Sequence, residues 1–530
     1  MKKKKNKART PTPRIKNTGY SEGGASHTSG ILKEWNPRKS SANADIGANL
    51  DTLRNRSADQ AINTPVGAAA INTTAMYTIG AGLRLFPRMK YKLLGWTAEK
   101  AREWNKRVAA EFDMWASSTL CDIRHRNNFY DLQDILYKAY MTDGDSFVLL
   151  RRGVDSNMPY TLRLQAVEGN RVSNPMGRDY WGIEGPGAVE MRAPDSNNRI
   201  INGVEVNPNG AIVAYWIANK APYDFTSLEL TDWQRVKAFG GRMGMPNVLQ
   251  ISHDERPDQY RGVPYLAPVL EQLKQVSRYS KAELTSAIVK SFFALFFVSE
   301  NTNNSISDVL GASTYDDEDT DPMSPVVNPA EYQLGPGTMN ALPKGVDVKS
   351  VDASNSQSTF EPFVKELVKQ IAAAIGQPYE VLMKSFNSSY SASRAALLQA
   401  WEQYKLRRVW FTRDLCQPVY EIWLAEAIAS GRIEAPGFFE DPVLKYAYCN
   451  AEWYGPSMSI LDPVKDINGS ALRTTYGLST REKEAAEMTG TDFEENIEQL
   501  KIEKAMIENA GLTMGDPAVL AGKDSGEGGE

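Results

Sequence analysis

The hydrophobic periodicity of the chain changes twice, and this limits the folds that the chain can adopt. Residues from about 50 to 142 follow a helical period, clearest where four side chains share one face: Phe129, Leu132, Leu136 and Tyr140. Residues 160–260 alternate with a period of two, as strands with one buried face do. Helical spacing returns after RGVP at 261–264. We therefore predict an α+β fold in which a β-rich region separates two helical regions.

The strongest short signal in the β-rich region is the Asn209-Gly210 pair. Alternating residues flank this pair on both sides: Val204 and Val206 before it, and Ile212, Ala214 and Trp216 after it. Asn-Gly between two such runs predicts a β-hairpin whose two turn residues both adopt positive φ. We also expect a strand at SFVLLRR, directly after the helix stop at Asp143-Gly144.

The C-terminal half alternates strong helical patterns with polar segments. In chain order these are a long helix at 264–291, an acidic Asn/Ser/Asp-rich region at 299–357, an amphipathic helix at 358–376, a polar loop within 384–396, a helical pattern at 391–430 and a charged helical region at 462–511. Gly376 and Pro378 end the amphipathic helix. Pro418 lies well inside the 391–430 pattern, so we expect a kink there.

Charge and cysteine usage restrict the class of protein. The formal net charge of −5 argues against a broad basic surface for gripping nucleic acid. The three cysteines form no CxxC pair and the three histidines have no metal-ligand spacing. We therefore expect a reducing compartment, no disulfide framework and no metal site. The most apolar run, at 287–298, is too short to span a bilayer, and no apolar segment follows the basic N-terminus. These features predict an intracellular soluble protein.

Familiar catalytic motifs are absent from the sequence. GxxxxGK[ST], HExxH and GxSxG do not occur. Ser146 stands alone beside a turn, and His253 suits a structural or interface role better than that of a general base. We therefore predict no catalytic residues and no cofactor. A metal-dependent nuclease built from scattered Asp and Glu residues stays open as an alternative.

The segment KSFNSSYSASRAA at 384–396 places a polar loop with little charge between two helical patterns. Three interpretations are open: a phosphate cradle, a flexible linker or a loop that faces DNA. A purely local role is also available, because Ser391 or Ser393 could cap the following helix with a side-chain hydrogen bond.

Four stretches, taken together, resemble the lambda-like portal protein family of tailed bacteriophages: DGDSFV at 143–148, GVEVNPNGAIVAYWI at 203–217, VLQISHDERPDQYRGVPYLAPVLEQLKQVSRYSKAEL at 248–284, and AAAIGQPYEVLMKSFNSSYSASRAALLQAW at 372–401. The resemblance extends over about 50–511 with its elements in the family's order. The last stretch is the most specific. It departs from the family pattern at Ser389, where the family usually has Asn.

The resemblance implies a portal fold that assembles as a ring. Its parts would be a disordered basic N-terminal tail (1–45), an N-terminal wing lobe with β-hairpins (46–263), the first stem helix (264–290), the clip (291–357), the second stem helix (358–376), the tunnel loop (377–392), a kinked helix with the C-terminal wing (393–459), a helical crown (460–511) and a disordered C-terminal tail (512–530).

The function implied by the resemblance is that of a non-enzymatic DNA conduit. About twelve copies would form a ring at one capsid vertex of the virion, after assembly in the host cytoplasm. Double-stranded DNA would pass through the ring without sequence recognition during packaging and ejection. The implied partners are the terminase large subunit, a head–tail adaptor, the major capsid protein and a scaffold, with no membrane. The alternatives are a metal-dependent nuclease and an internal capsid scaffold protein.

The resemblance also implies which residues meet DNA. The tunnel-loop candidates are Lys384, Asn387, Ser388, Ser389, Tyr390 and Ser391, and the stem-helix candidates are Lys274, Arg278, Lys281, Lys365 and Lys369. Arg394 is either a DNA contact or an ion-pair partner between subunits. The apolar stripe at 360–375 is either ordinary core or a surface packed against 266–279 of the neighbouring subunit.

Overall fold

The computed structural model describes residues 34–35, 37–175, 190–222, 224, 230–241, 244–291, 295–297, 339–341, 357–386, 389–458 and 463–510. Its helices are α1 (Ala42–Gly47), α2 (Leu50–Asn63), α3 (Pro65–Thr78), α4 (Ala98–Ala116), α5 (Phe129–Asp143), α6 (Leu270–Ser291), α7 (Gln357–Ala374), α8 (Tyr379–Met383), α9 (Tyr390–Phe411), α10 (Gln417–Ala429), α11 (Pro442–Cys449), α12 (Pro463–Thr475), α13 (Arg481–Thr489) and α14 (Phe493–Asn509).

The strands are β1 (Arg84–Pro87), β2 (Asp145–Arg152), β3 (Leu162–Glu168), β4 (Glu190–Arg192), β5 (Arg199–Ile201), β6 (Val204–Val206), β7 (Ile212–Ala218), β8 (Trp233–Lys237), β9 (Val248–Ser252), β10 (Leu295–Phe297), β11 (Met339–Ala341) and β12 (Ala451–Tyr454). The predicted mixture of helix and sheet is confirmed, with most described strands between α5 and α6.

Two antiparallel sheets form the β-rich region. One has the order β3-β2-β9 and the other is a meander, β4-β5-β6-β7-β8. Strand β2 is buried on both faces, because Val148 packs into the large helical core while Phe147 and Leu149 pack against the meander. The three-stranded sheet therefore lies between the helices and the second sheet.

The hairpin predicted around Asn209-Gly210 is confirmed, but its turn differs from the prediction. Strands β6 and β7 pair with Val204 opposite Tyr215, and they are joined by the five residues 207–211. Only Gly210 has positive φ, at 86°. The Asn207 side chain accepts hydrogen bonds from the backbone N–H groups of Asn209 and Ala211. This side chain takes over the role that a tight Asn-Gly turn plays in shorter hairpins.

Two glycines allow α5 and the segment before α6 to cross at van der Waals distance. Gly144 ends α5 with φ +89°. A Cβ on Gly144 would lie 2.6 Å from the Gly262 carbonyl, and a Cβ on Gly262 would lie 1.8 Å from the Gly144 oxygen. No side chain fits at either position, so Asp143-Gly144 and the RGVP motif at 261–264 contact each other through their backbones.

A fully buried carboxylate, Asp145, holds this crossing together. Arg54 Nη2 lies 2.7 Å from its Oδ1, Arg261 Nε lies 2.6 Å from its Oδ2, and the Gly262 N–H donates to Oδ2 at 3.1 Å. Arg261 also donates to three backbone carbonyls: Gly169, Val172 and Asn202. Burial favours the neutral carboxyl, but the charges of Arg261 and Arg54 hold the pKa of Asp145 below its usual value.

The helical pattern at 391–430 is confirmed, with its interruption next to Pro418. Helices α9 and α10 are joined by a π-helical turn, Thr412–Cys416, and Pro418 lies in the first turn of α10. Proline has no N–H, and its ring clashes with the carbonyl four residues earlier, that of Asp414. The wider π turn accommodates this clash while the helical path continues.

The two predicted stem helices pack against each other within one chain. Tyr279 of α6 stacks on Phe360 of α7 with ring centroids 5.4 Å apart, and it contacts Phe363 edge-on. Val276 and Ile371 belong to the same buried cluster. The buried side of the apolar stripe at 360–375 is therefore core of its own chain, whereas Phe363 retains 50% of its accessible surface. Packing of the stripe on a neighbour's 266–279 stays a prediction.

Several predicted parts lie outside the described residues. These are residues 1–33 of the N-terminal tail, the C-terminal tail from 511, and the clip apart from two short strands, β10 and β11, which pair in parallel. Helix α1 begins at Ala42, inside the segment predicted as tail, and Asn43 donates to the Asp258 carbonyl at 2.8 Å.

Replacing Asp145 with asparagine is expected to destabilise the fold by about 3–5 kcal/mol at pH 7, because two buried arginines lose their counter-charge. The folded-state pKa of Asp145 is lowered. Its stabilisation is therefore complete above the unfolded pKa of about 3.9 and is lost as pH falls through the lower folded pKa. Denaturant unfolding of D145N and the wild type from pH 3 to pH 8 measures the difference. Equal free energies of unfolding for the two proteins at pH 7 would contradict the prediction.

Asp143 offers a matched control of opposite sign. Burial raises its folded-state pKa to about 6. Ionising this carboxyl therefore costs stability as pH rises from about 4 through 6. D143N is expected to leave stability unchanged below pH 4 and to increase it above pH 6. If D143N lost as much stability at pH 8 as D145N does, both substitutions would be acting through general disruption of the fold.

Candidate nucleic-acid interface

Three of the predicted stem-helix residues share one exposed face of α6. Lys274, Arg278 and Lys281 follow i, i+4, i+7 spacing, on the side of the helix away from buried Val276. Lys274 Nζ lies 3.5 Å from the Asp59 carboxylate, an exposed pair of little energetic weight. Within the part of the chain that the structure describes, Arg278 and Lys281 have no ion-pair partner. Helix α6 therefore presents a face on which three cations outnumber one exposed carboxylate, that of Glu271 three residues before Lys274.

The corresponding face of α7 has mixed charge. Lys365 and Lys369 are exposed, opposite the buried apolar stripe, and Lys369 Nζ lies 3.5 Å from Glu366. Glu361 is exposed on the same helix. Of the two stem helices, α6 is thus the better suited to face a polyanion.

A buried glutamine anchors the segment that leaves α7. Gly376 has φ +71°, and a Cβ there would lie 2.3 Å from the Gln403 side chain. The Gln377 side chain then turns inward, where Nε2 donates to the Ala70 carbonyl at 3.1 Å and to the Thr74 hydroxyl. These bonds fix the start of the predicted tunnel loop against α3.

The predicted tunnel loop contains a short helix, α8. Its Val381 and Leu382 side chains are buried, and Val381 clusters with Ala400 and Tyr404 of α9. Beyond α8 the chain becomes exposed, and Phe386 retains 49% of its accessible surface. The start of the predicted loop is therefore anchored to the fold through Gln377 and α8, and its described residues after α8 are more exposed.

Lys384 ends α8 in a left-handed conformation, with φ 51° and ψ 36°. Glycine and asparagine are the residues that usually occupy this position, because a Cβ there costs about 1 kcal/mol. The Lys384 side chain is exposed. The chain therefore keeps a charged side chain at a position where glycine would be more stable.

Ser389 is the N-cap of α9, and its hydroxyl accepts a hydrogen bond from the Ala392 N–H at 3.4 Å. The suggestion that Ser391 or Ser393 caps the helix is wrong, since both lie inside α9, which begins at Tyr390. Ser391 is exposed. Two of the predicted loop residues, Asn387 and Ser388, lie outside the described residues.

Arg394 forms an ion pair within its own chain. Its Nη2 lies 2.7 Å from Asp466 Oδ1, at the start of α12. Both side chains are about two-thirds buried. This contact joins the first turn of α9, next to the loop, to the C-terminal helices.

Ser146 and His253, the two residues considered for catalysis, both make packing or hydrogen-bond contacts within the fold. Ser146 is fully buried and its hydroxyl donates to the Leu136 carbonyl at 2.9 Å. His253 stacks on Trp410 with ring centroids 3.5 Å apart, and burial lowers its pKa. Within the described residues, no group of His, Cys, Asp and Glu could hold a metal ion, and no helix combines the length and apolar content needed to cross a membrane.

Sequence patterns alone do not identify the buried polar anchors. Asp145, Arg261 and Gln377 all lie inside the family-like stretches, but neither hydrophobic periodicity nor a motif marks them as contacts. The available signal was that polar residues stood inside otherwise apolar or glycine-containing motifs, where a buried partner is required.

Known proteins match this chain over most of its length. The chain is 26% identical to "Portal protein B" of Escherichia phage lambda and 26% identical to "Portal protein" of Escherichia phage N15, in each case over 93% of this chain and 91% of the relative. It is 24% identical to "Probable portal protein" of Halomonas phage phiHAP-1, over 83% of this chain and 78% of the relative.

Solved structures give a more remote likeness. The chain superposes on "Virion of native gene transfer agent (GTA) particle" with a TM-score of 0.39, and on "Neck of native GTA particle computed with C12 symmetry" with a TM-score of 0.38. Identity is 12% in both cases, over 85% and 86% of this chain and 93% and 94% of the other. Residues 28–408, more than two thirds of the chain, match the sequence profile described as "Phage portal protein, lambda family". The chain therefore belongs to the lambda family of phage portal proteins.

Proposed function

We propose that this portal protein forms a closed ring of about twelve copies at one capsid vertex, and that double-stranded DNA passes through it during packaging and ejection. In this proposal the protein is non-enzymatic. The terminase large subunit supplies the force, a head–tail adaptor binds later, and the major capsid protein and scaffold surround the ring during assembly in the host cytoplasm.

The observation that carries this proposal, beyond family membership, is the order of charge along the candidate interface. The basic face of α6 bears Lys274, Arg278 and Lys281, whereas the segment 384–391 carries one cation, Lys384, among mostly polar neutral side chains. A duplex presents one negative charge per about 1.7 Å of axis, and each phosphate neutralised strengthens binding. A ring repeats every residue once per copy, so the cations of α6 attract the duplex to the opening, and a single lysine per copy in the segment beside it limits how tightly the duplex is held there.

The net charge of the proposed ring also favours movement of DNA through it over tight binding of DNA. Twelve copies at −5 give 12 × −5 = −60, which repels DNA from most of the assembly. Neutral hydroxyl and amide groups form exchangeable hydrogen bonds to phosphate oxygens without reading sequence. Ser389 and Ser391 provide such groups near Lys384.

The left-handed Lys384 supports a role for its charge. Residues held in unfavourable backbone regions persist where the surrounding structure or the function requires them. The start of the segment is fixed by Gln377 and Val381, so the position of the Lys384 backbone is fixed with it. We infer that Lys384 supplies one ring of positive charge at the channel.

Native mass measurement of the purified full-length protein tests the ring. The expected result is a discrete species near twelve times 58.8 kDa, or 706 kDa. Rings must have a fixed copy number because their interface closes by rotation. Open, polydisperse aggregates would favour the scaffold alternative, and a stable monomer that cleaves DNA with added divalent metal would favour the nuclease.

The Lys384→Gly variant distinguishes the effect of the side-chain charge on packaging from the effect of the backbone conformation on stability. The variant is expected to be more stable by about 1 kcal/mol, because glycine removes the left-handed penalty. It is also expected to lower the rate of DNA packaging several-fold, because one cation per copy is lost. Denaturant unfolding and packaging into procapsids with terminase measure the two effects.

Two further variants complete this comparison. Lys384→Gln keeps a side chain at the left-handed position, so packaging is expected to fall without a gain in stability. Lys384→Arg keeps the charge and should match the wild type in both assays. Unchanged packaging by K384G and K384Q would remove the proposed role of this charge.

A further inference from the structure

Helix α12 packs with its polar side inward. Ser470 is its only buried residue, and Asp466 on the same side bonds to Arg394. Arg473 pairs with Glu484 of α13 through two hydrogen bonds of 2.9 and 2.6 Å. The contacts that hold α12 to its own chain are therefore polar.

Another side of α12 is apolar and exposed. Val464 and Ile467 lie on it at i, i+3 spacing and retain 69% and 54% of their accessible surface, while Leu472 (55%) and Tyr476 directly after the helix (75%) are exposed on the side next to it. Ala471 lies among them and is also exposed. An amphipathic helix normally buries its apolar stripe, so this orientation indicates a surface that another molecule covers.

Helix α14 also has apolar side chains that remain exposed within its own chain. It has 17 residues and none is buried. Ile497 and Leu500 share one face and each retains 47% of its accessible surface, with Phe493 and Ile507 half-buried on the same side. Arg102 and Lys106 of α4 tie its first two turns through Glu494 and Glu498. Most of the stability of a helix in a protein comes from tertiary packing of its apolar face, and α14 has little of it in the single chain.

The two helices carry opposite charge. Helix α12 has Lys465 and Arg473 against Asp466, a net charge of +1, whereas α14 has five glutamates and two lysines, a net charge of −3. When the charges paired with other helices of the same chain are left out (Arg473, Asp466, Glu494 and Glu498), the net charges are +1 and −1. Pairing α12 with a second α12, or α14 with a second α14, brings like charges together. Pairing α12 with α14 brings opposite charges together around two apolar stripes.

We propose that the exposed apolar face of α12 in one copy binds α14 of the neighbouring copy. The proposal rests on the proposed ring and names one of its subunit contacts. Both faces are exposed in the single chain, so α12 and α14 of one copy do not cover each other. A contact between two different surfaces of identical chains is heterologous, and rotation about an axis can close it into a ring.

A crosslinking experiment on the full-length chain tests this contact. Cysteines are introduced at the centres of the two faces, A471C and L500C, in one double variant and two single variants. A short bis-maleimide is added at pH 7. The native cysteines provide little background, because Cys121, Cys416 and Cys449 are buried and burial raises the pKa of Cys121 and Cys449 to about 12.

The proposal predicts a ladder of covalent oligomers, up to the full ring, for the double variant only. The single variants are expected to yield monomers on denaturing gels, because each contact then has one cysteine. Dimers from a single variant would indicate an isologous contact and would overturn the proposal.

A native mass measurement before crosslinking distinguishes failure of the α12–α14 contact from failure of the ring itself. Intact rings without a ladder in the double variant would overturn the α12–α14 contact and leave the ring standing. An assembly that never exceeds a monomer would overturn both. A monomeric species joined internally in the double variant would show that α14 covers α12 of its own chain.

Discussion

The buried ion pairs of Asp145 connect α2, the two sheets and the segment that leads into the first stem helix. One carboxylate receives Arg54 from α2 and Arg261 from the segment before α6. Arg261 in turn binds the carbonyls of Val172 and Asn202, beside the second sheet. Because these groups are withdrawn from water, each depends on the others for its hydrogen bonds. Removal of the carboxylate would leave two cations without compensation.

This network determines where α6 begins. Gly144 and Gly262 cross in direct contact next to Asp145, so the chain enters α6 at a fixed position relative to α5. Helix α7 packs on α6, and Gln377 then fixes the next turn against α3. The basic face of α6 and the segment at Lys384 are thus held by two buried polar anchors.

Periodicity was sufficient to predict the elements but not their partners. The strand at 145–152 and the hairpin at 204–218 follow from local pattern, which depends on one buried face. The five-residue turn could not be predicted from Asn209-Gly210, because Asn207 supplies the bonds that shape it. The packing of α6 on α7, and of Arg394 on Asp466, joins residues far apart in sequence, and an apolar stripe does not state which surface covers it.

We propose that copies of this portal protein surround DNA with α6, α7 and the segment at 384–389. An electron-microscopy reconstruction of the assembled protein tests this arrangement. The expected result is a closed ring in which α6 turns Lys274, Arg278 and Lys281 toward a central opening and Lys384 lies at its narrowest part. A reconstruction that places Lys384 on the outer surface of the ring, or that shows no central opening, would contradict it.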